Sequence, residues 1–203
     1  MTILLGLVFM TIGVVCGGIV TWLLGNRQQR KLIERLKDLL LDRQHVSLSE
    51  EFFLARLLVT KVRKAHFSPD VIFAVSPGGG MIAEWLSRVG LGDSSNPIPV
   101  RSVHVHIERS RGGVVAEKAV VKEDLKALTA GLRSDSRVLL VNDISRGGLT
   151  LQAVHDFLTQ FFPPDNVAAA TLFCHTDAHT KPKFYAAMTE KVIRFEWKHS
   201  PMS

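Results

Sequence analysis

From Asp70 onward the chain alternates short apolar runs with longer amphipathic ones, and this alternation restricts the fold more than any other feature. The runs at 70–76, 100–107, 137–142 and 167–174 read as strands. The stretches from about 80, over 122–132 and over 150–161 read as helices. Strand and helix in turn predict an α/β fold, an open and mainly parallel sheet with helices on both faces. Parallel neighbours need crossover connections, and helices are what cover the two faces. In such a sheet a ligand sits in the crevice beyond the carboxyl ends of the strands.

Residues 138–151 put polar chemistry at that place. Val138, Leu139, Leu140 and Val141 make a buried strand, Asn142 and Asp143 follow at its end, and Ser145, Arg146, Gly147, Gly148, Leu149 and Thr150 lead into a helix beginning at about Thr150. A glycine-containing loop feeding a helix N-terminus offers backbone N–H groups to an anion, most often a phosphate. Asn142 and Asp143 would then hold the hydroxyls of a sugar attached to it, which makes a ribose 5-phosphate site. The plainer reading of 145–150 is a tight turn with Thr150 as helix cap.

This segment resembles the phosphoribosyl pyrophosphate (PRPP) motif of type I phosphoribosyltransferases: four apolar residues, two acids, then a loop of the Thr-Gly-x-Thr kind. Asn142 stands in place of the first acid and Asp143 keeps the second. Gly147 replaces the first loop threonine, while Gly148 and Thr150 keep their types. Arg146 occupies the position of a further acid often assigned as general base. Residues 70–86 look like the family's pyrophosphate loop, with Ser76, Pro77, Gly78 and Gly79 at the turn and proline where a basic residue often stands. Residues 169–197 are similar to the last strand and base-covering hood of the hypoxanthine/guanine/xanthine branch. There, His175 takes the place of a lysine that bonds the purine's exocyclic oxygen, and Val192 that of the residue covering its ring. The resemblance implies Mg²⁺ bound through ligand oxygens, with Asp143 as a further contact, and a small purine-type base as acceptor; a homodimer is expected besides.

Other constellations carry less. His104 and His106 share one strand face, and His175, Asp177 and His179 would do so if extended; either could be drawn as a zinc or manganese site, but loop and strand histidines without a third fixed ligand are usually solvated or simply hydrogen-bonded. Cys174 reads as a buried strand-end thiol, and no Ser-His-Asp or Cys-His arrangement can be assembled. Residues 108–118, rich in arginine and glycine, read as a mobile loop closing over PRPP, as in the resembled family, or as a solvated hairpin.

The N-terminus adds a second kind of constraint. Residues 3–24 carry no charge, and 22 apolar-rich positions make a helix of roughly 33 Å, enough to span a bilayer. A cleaved signal peptide is disfavoured, because no basic n-region precedes the run and no Ala-x-Ala-like site ends it. Arg27, Arg30, Lys31, Arg35 and Lys37 follow directly, which predicts an external N-terminus and a cytoplasmic C-terminal domain. Gly13, Gly17 and Thr21 make a small-residue face suited to pairing of two such helices. Residues 26–47 read as an amphipathic helix or linker, lying on the membrane, pairing with a second copy or packing as a stalk. Ser47 with Glu50 makes a capping box for the next helix, which Ser68-Pro69 would end. The expected domains are thus an anchor over 1–25, a juxtamembrane segment over 26–47 and the α/β domain over 48–203.

A net charge of +6 and a pI near 9.6 favour anionic partners, phosphates and acidic lipid headgroups among them. No helix-turn-helix, zinc finger or aromatic RNA-binding signature supports specific nucleic-acid binding. Two functional readings result. The first is a membrane-anchored phosphoribosyltransferase with a purine-type acceptor. The second is a catalytically weak or inactive sensor or effector that binds a nucleotide or PRPP at the membrane. Asn142, Arg146 and the uncharged pyrophosphate loop favour the second, while the two ligand loops, intact in outline, keep the first ahead.

Overall fold

Ser47 opens the first long helix with the capping box its sequence predicts: its hydroxyl accepts from the Glu50 N–H, and Glu50 accepts from the Ser47 N–H at 2.8 Å. The computed structural model describes residues 43–109 and 116–199, so the apolar segment 1–25 and most of the juxtamembrane segment lie outside the described residues. Among the described residues no helix is long and apolar enough to cross a membrane. The chain divides into two units, 1–44 and 45–203, and the second carries the α/β fold.

The elements in order are β1 (Arg43–Val46), α1 (Leu48–Lys64), β2 (Val71–Ser76), α2 (Gly80–Trp85) running into a π-helical turn (Leu86–Gly90), β3 (Val100–Arg109), β4 (Ala116–Val121) and α3 (Leu125–Thr129). Then come β5 (Val138–Ser145), α4 (Leu149–Leu158), β6 (Val167–His175), β7 (Phe184–Thr189) and β8 (Val192–Phe195). Six strands form one sheet in the order β4-β3-β2-β5-β6-β7, and β1 with β8 forms a second, two-stranded one. All pairings in the large sheet are parallel except β3 with β4. Two apolar clusters fill its faces. One joins α1 and α2 through Leu58, Val62, Ile82 and Leu86, and the other joins α4 through Leu151, Val154 and Leu158.

Several boundaries differ from the sequence reading. Residues 43–46, expected within an amphipathic helix, are a strand, because β8 supplies a pairing partner. Helix α1 stops at Lys64, before Ser68-Pro69: Phe67 N–H bonds Val62 O and His66 N–H bonds Arg63 O, with His66 left-handed at φ 52°. The helix expected over 122–132 is only α3, capped by Asp124. In residues 108–118, read as a mobile loop or a hairpin, the ends of β3 and β4 pair antiparallel as a hairpin's arms do, while 110–115 lie outside the described residues. β7 continues the sheet past the expected last strand, and Lys61 Nζ donates to Tyr185 O and Ala186 O on that edge.

The topology fixes where a ligand can sit. After β2 the chain goes to β3 on one side, and β5 then lies on the other side of β2. The loops leaving β2 and β5 therefore face each other at the point where the connections diverge, the expected crevice of an open α/β sheet.

Candidate functional site

Strand β2 is buried from Val71 to Val75, and its apolar run delivers Ser76, Pro77, Gly78 and Gly79 to the carboxyl edge of the sheet. The Ser76–Pro77 peptide is cis. Gly79 N–H closes the turn on Val75 O at 2.7 Å. A Cβ on Gly79 would lie 2.2 Å from Val141 O, and one on Gly78 would lie 2.6 Å from the Asp143 carboxyl. The two segments singled out from sequence are thus packed against each other, backbone on side chain.

Strand β5 runs through Asn142 and Asp143 to Ser145 because β6 pairs with it as far as Cys174. The polar pair, expected at the strand's end, lies inside it, since the strand runs on to Ser145. Leu139 and Val141 join the α1/α2 cluster whereas Val138 and Leu140 join the α4 cluster, so strand alternation sends the two polar residues to opposite faces. Asp143, on the Gly78 side, is 3% exposed, and one of its oxygens accepts the Ile144 N–H at 2.7 Å. Asn142, on the α4 side, donates its amide to Ile144 O at 3.1 Å.

The following loop differs from the plain turn described above. Gly148, not Thr150, is the N-cap of α4, with φ 91° and no side-chain cap. Leu149 starts the helix and Thr150 stands in its first turn. The leading N–H groups of a ten-residue helix are therefore left without a capping side chain. Arg146 and Gly147 are exposed, and a Cβ on Gly147 would meet nothing within 4 Å. The back of the loop rests on residue 180: Ser145 Oγ donates to Thr180 O at 3.4 Å, and a Cβ on Gly148 would lie 2.5 Å from that oxygen. Sequence gave no hint of Thr180, since only the path of 176–183 brings it there.

At the far side of the crevice, His175 ends β6 with both ring nitrogens engaged. Nδ1 accepts the Asp177 N–H at 3.3 Å, which places the proton on Nε2, 2.9 Å from Glu190 O. Val192 is half-buried in β8. The neighbouring Cys174 is fully buried, and burial pushes its thiol up from the usual range against the pull of Lys181. Across the crevice, on β3, His104 is 72% exposed, with its ring Nδ1 3.0 Å from Glu123 Oε1. Among the described residues no group of three His, Cys, Asp or Glu side chains is placed to hold a metal ion. A cavity of about 500 Å³ opens at the opposite end of the sheet, among Arg63, His66, Asp93 and Asn96. Cavity volume does not mark the site; the loop geometry does.

Residues 49–203 match the phosphoribosyl transferase domain family. Among solved structures, the purine phosphoribosyltransferase of Pyrococcus horikoshii shares 28% identity, with a TM-score of 0.63 over 80% of this chain and 98% of that one. The xanthine-guanine-hypoxanthine phosphoribosyltransferase of Helicobacter pylori shares 19%, with a TM-score of 0.61 over 77% and 93%. A hypothetical protein of Neisseria gonorrhoeae with bound ppGpp shares 21%, with a TM-score of 0.64 over 78% and 90%. The last two likenesses concern the fold. Among curated proteins none matches.

Proposed function

The chain belongs to the phosphoribosyl transferase domain family, and on that premise we propose that its crevice binds PRPP or a nucleoside 5-monophosphate and transfers phosphoribosyl to a purine-type base, releasing pyrophosphate. The observation that carries this reading is the pair of interlocked loops at the topological switch point, with Asp143 against Gly78 and an uncapped α4 beside them. The first N–H groups of α4 and its loop, 145–150, hold the 5-phosphate. Asp143 takes the ribose hydroxyls from its face of β5, while Asn142 borders the ligand from the opposite, α4 face, and 76–79 carry the pyrophosphate. His175 and Val192 border the base.

A base nitrogen bonds to C1 while the C1–O bond breaks and its electron pair leaves with pyrophosphate, and the N–H proton of the base passes to the departing pyrophosphate or to water. The protein's share is to align the two reactants and to place donors where charge develops. Of the residues named for the site only Asp143 carries a carboxylate, so the donor set suits an Mg²⁺ that arrives on ligand oxygens and takes one more from Asp143. Bound there, the ion would neutralise charge on the leaving group. The 28% identity to a purine phosphoribosyltransferase supports the purine assignment. Residues 3–24 hold the protein in a membrane with the domain on the cytoplasmic side, and two copies associate.

The second reading, a nucleotide or PRPP sensor at the membrane with little or no turnover, is favoured by His175. With both ring nitrogens bound to its own chain it offers a base no free donor. Turnover separates the two: pyrophosphate release from PRPP over a panel of bases, with wild type and Asn142→Asp. For an enzyme limited by the missing acid, Asn142→Asp raises turnover with little change in nucleotide binding. For a sensor it weakens binding of the anionic ligand and yields no product. Wild-type turnover abolished by Asn142→Asp would contradict both accounts. Carbonate extraction of membranes tests the anchor: release of the full-length chain rejects it.

A further inference from the structure

The pyrophosphate loop lacks a charge of its own: Pro77 stands at its turn, and Ser76, Gly78 and Gly79 complete it. A strongly anionic leaving group then needs a side-chain contact from elsewhere, and strand β3 supplies one. Ser76 and His104 are register partners across the parallel β2–β3 pair, which puts their Cα atoms on adjacent strands at the same height. They also share a face. Ile72 and Ala74 of β2 pack in the α1/α2 cluster with Val100 of β3, while Val103 packs in the other cluster. Alternation from Val100 and Val103 then turns His104 to the side of the sheet from which the loop enters α2.

The ring is held rather than free. Glu123 Oε1 accepts both the His104 backbone N–H and its ring Nδ1–H, the latter at 3.0 Å. The other oxygen, Glu123 Oε2, is buried with no hydrogen-bond partner among the described residues, so the charge of this carboxylate falls to His104. A carboxylate on Nδ1 fixes the ring's orientation and leaves Nε2 facing outward. The His104 side chain is 72% exposed, so that nitrogen is reachable by a ligand.

On the reading given under Proposed function, we propose that His104 is a pyrophosphate-binding residue, oriented by Glu123, and that its ring Nε2 supplies the side-chain contact the loop itself lacks. Glu123 is a positioning residue. The charge of the ligand's two-phosphate end, not its 5-phosphate, is what this pair reads.

Calorimetry with the full-length protein in detergent tests this, using three probes: PRPP, inorganic pyrophosphate and a nucleoside 5-monophosphate. His104→Gln is expected to weaken PRPP and pyrophosphate roughly 10-fold, the scale of one hydrogen bond to a charged group, and to leave the monophosphate unchanged. His104→Lys supplies a side-chain contact in its place and restores most of that loss, and Glu123→Gln gives a smaller loss with the same ligand pattern. A merely structural role would weaken all three probes together, which overturns the proposal. So does unchanged pyrophosphate binding in His104→Gln while wild type binds PRPP. Failure of wild type to bind any of the three rejects the functional reading itself, and the pyrophosphate role with it.

Discussion

The two glycine loops at the switch point look alike in sequence and are glycine for different reasons. In the loop after β2, a side chain on Gly79 is excluded by the Val141 carbonyl of β5, and one on Gly78 would have to displace the Asp143 carboxyl. In the loop after β5, Gly148 is set by its left-handed backbone and by Thr180 behind it, whereas Gly147 borders open space. The first loop is thus a packing joint and the second is a rim with its front face clear. A ligand that needs close backbone approach has room at Gly147, and none has to be invoked to explain Gly79.

That contrast breaks most visibly at the glycines themselves. Gly79→Ala is expected to lower unfolding stability by about 3 kcal/mol or more, since a backbone carbonyl cannot move aside as a side-chain tip can. Gly147→Ala, measured in the same denaturant titration, should change stability little, about 0.5 kcal/mol or less. Equal losses would mean that the two loops do not differ as described. At Gly147 the sharper readout is ligand affinity, which should fall although stability holds.

Next in size is the polar pair between the loops. Asp143→Asn should cost roughly 10- to 100-fold in PRPP affinity, because a buried carboxylate accepting charge-assisted bonds becomes an amide. Asn142→Ala should cost less, since its amide already spends a donor on Ile144 O. Calorimetry in which Asn142→Ala is the more damaging change would invert the assignment of faces.

A left-handed residue remote from any ligand calibrates the backbone part of the argument. His66 sits at φ 52° just past α1. His66→Gly should stabilise by about 0.5–1 kcal/mol, against a loss at Gly148→Ala, where strain and contact with Thr180 add. Thermal unfolding of the pair separates conformational strain from close approach. The smallest effect belongs to the capping box. Hydrogen bonds from Ser47 hold the Glu50 carboxyl below its usual range. A depressed folded-state value means that its contribution is present at neutral pH and lost as pH falls through that value, and Ser47→Ala, which removes the hydroxyl but keeps the backbone N–H, should flatten this part of the stability-versus-pH curve only in part.

Much of this molecule was legible in its residues because the signals are local. The apolar runs of β2, β5 and β6 are buried on both faces, so they read as strands whatever surrounds them. Ser47 and Glu50 announce a helix start through bonds within four residues. The glycines and polar residues at 76–79 and 142–150 point to a candidate carboxyl-edge site because ligands of open α/β sheets bind beyond the carboxyl ends of the strands. What the sequence could not decide depends on partners distant along the chain. β5 extends through Asn142 and Asp143 only because β6 is there to pair with it, and that extension splits the two residues between faces. His175, readable as a base contact, is turned to Glu190 by the return of β7 and its following turn. His104 looked like half of a metal site until the register of β3 set it beside Ser76, and the fold carried Glu123 back to its ring. Local propensity writes the elements; which side chain meets which across the sheet is settled only by strand order and register, and these are properties of the whole packed chain.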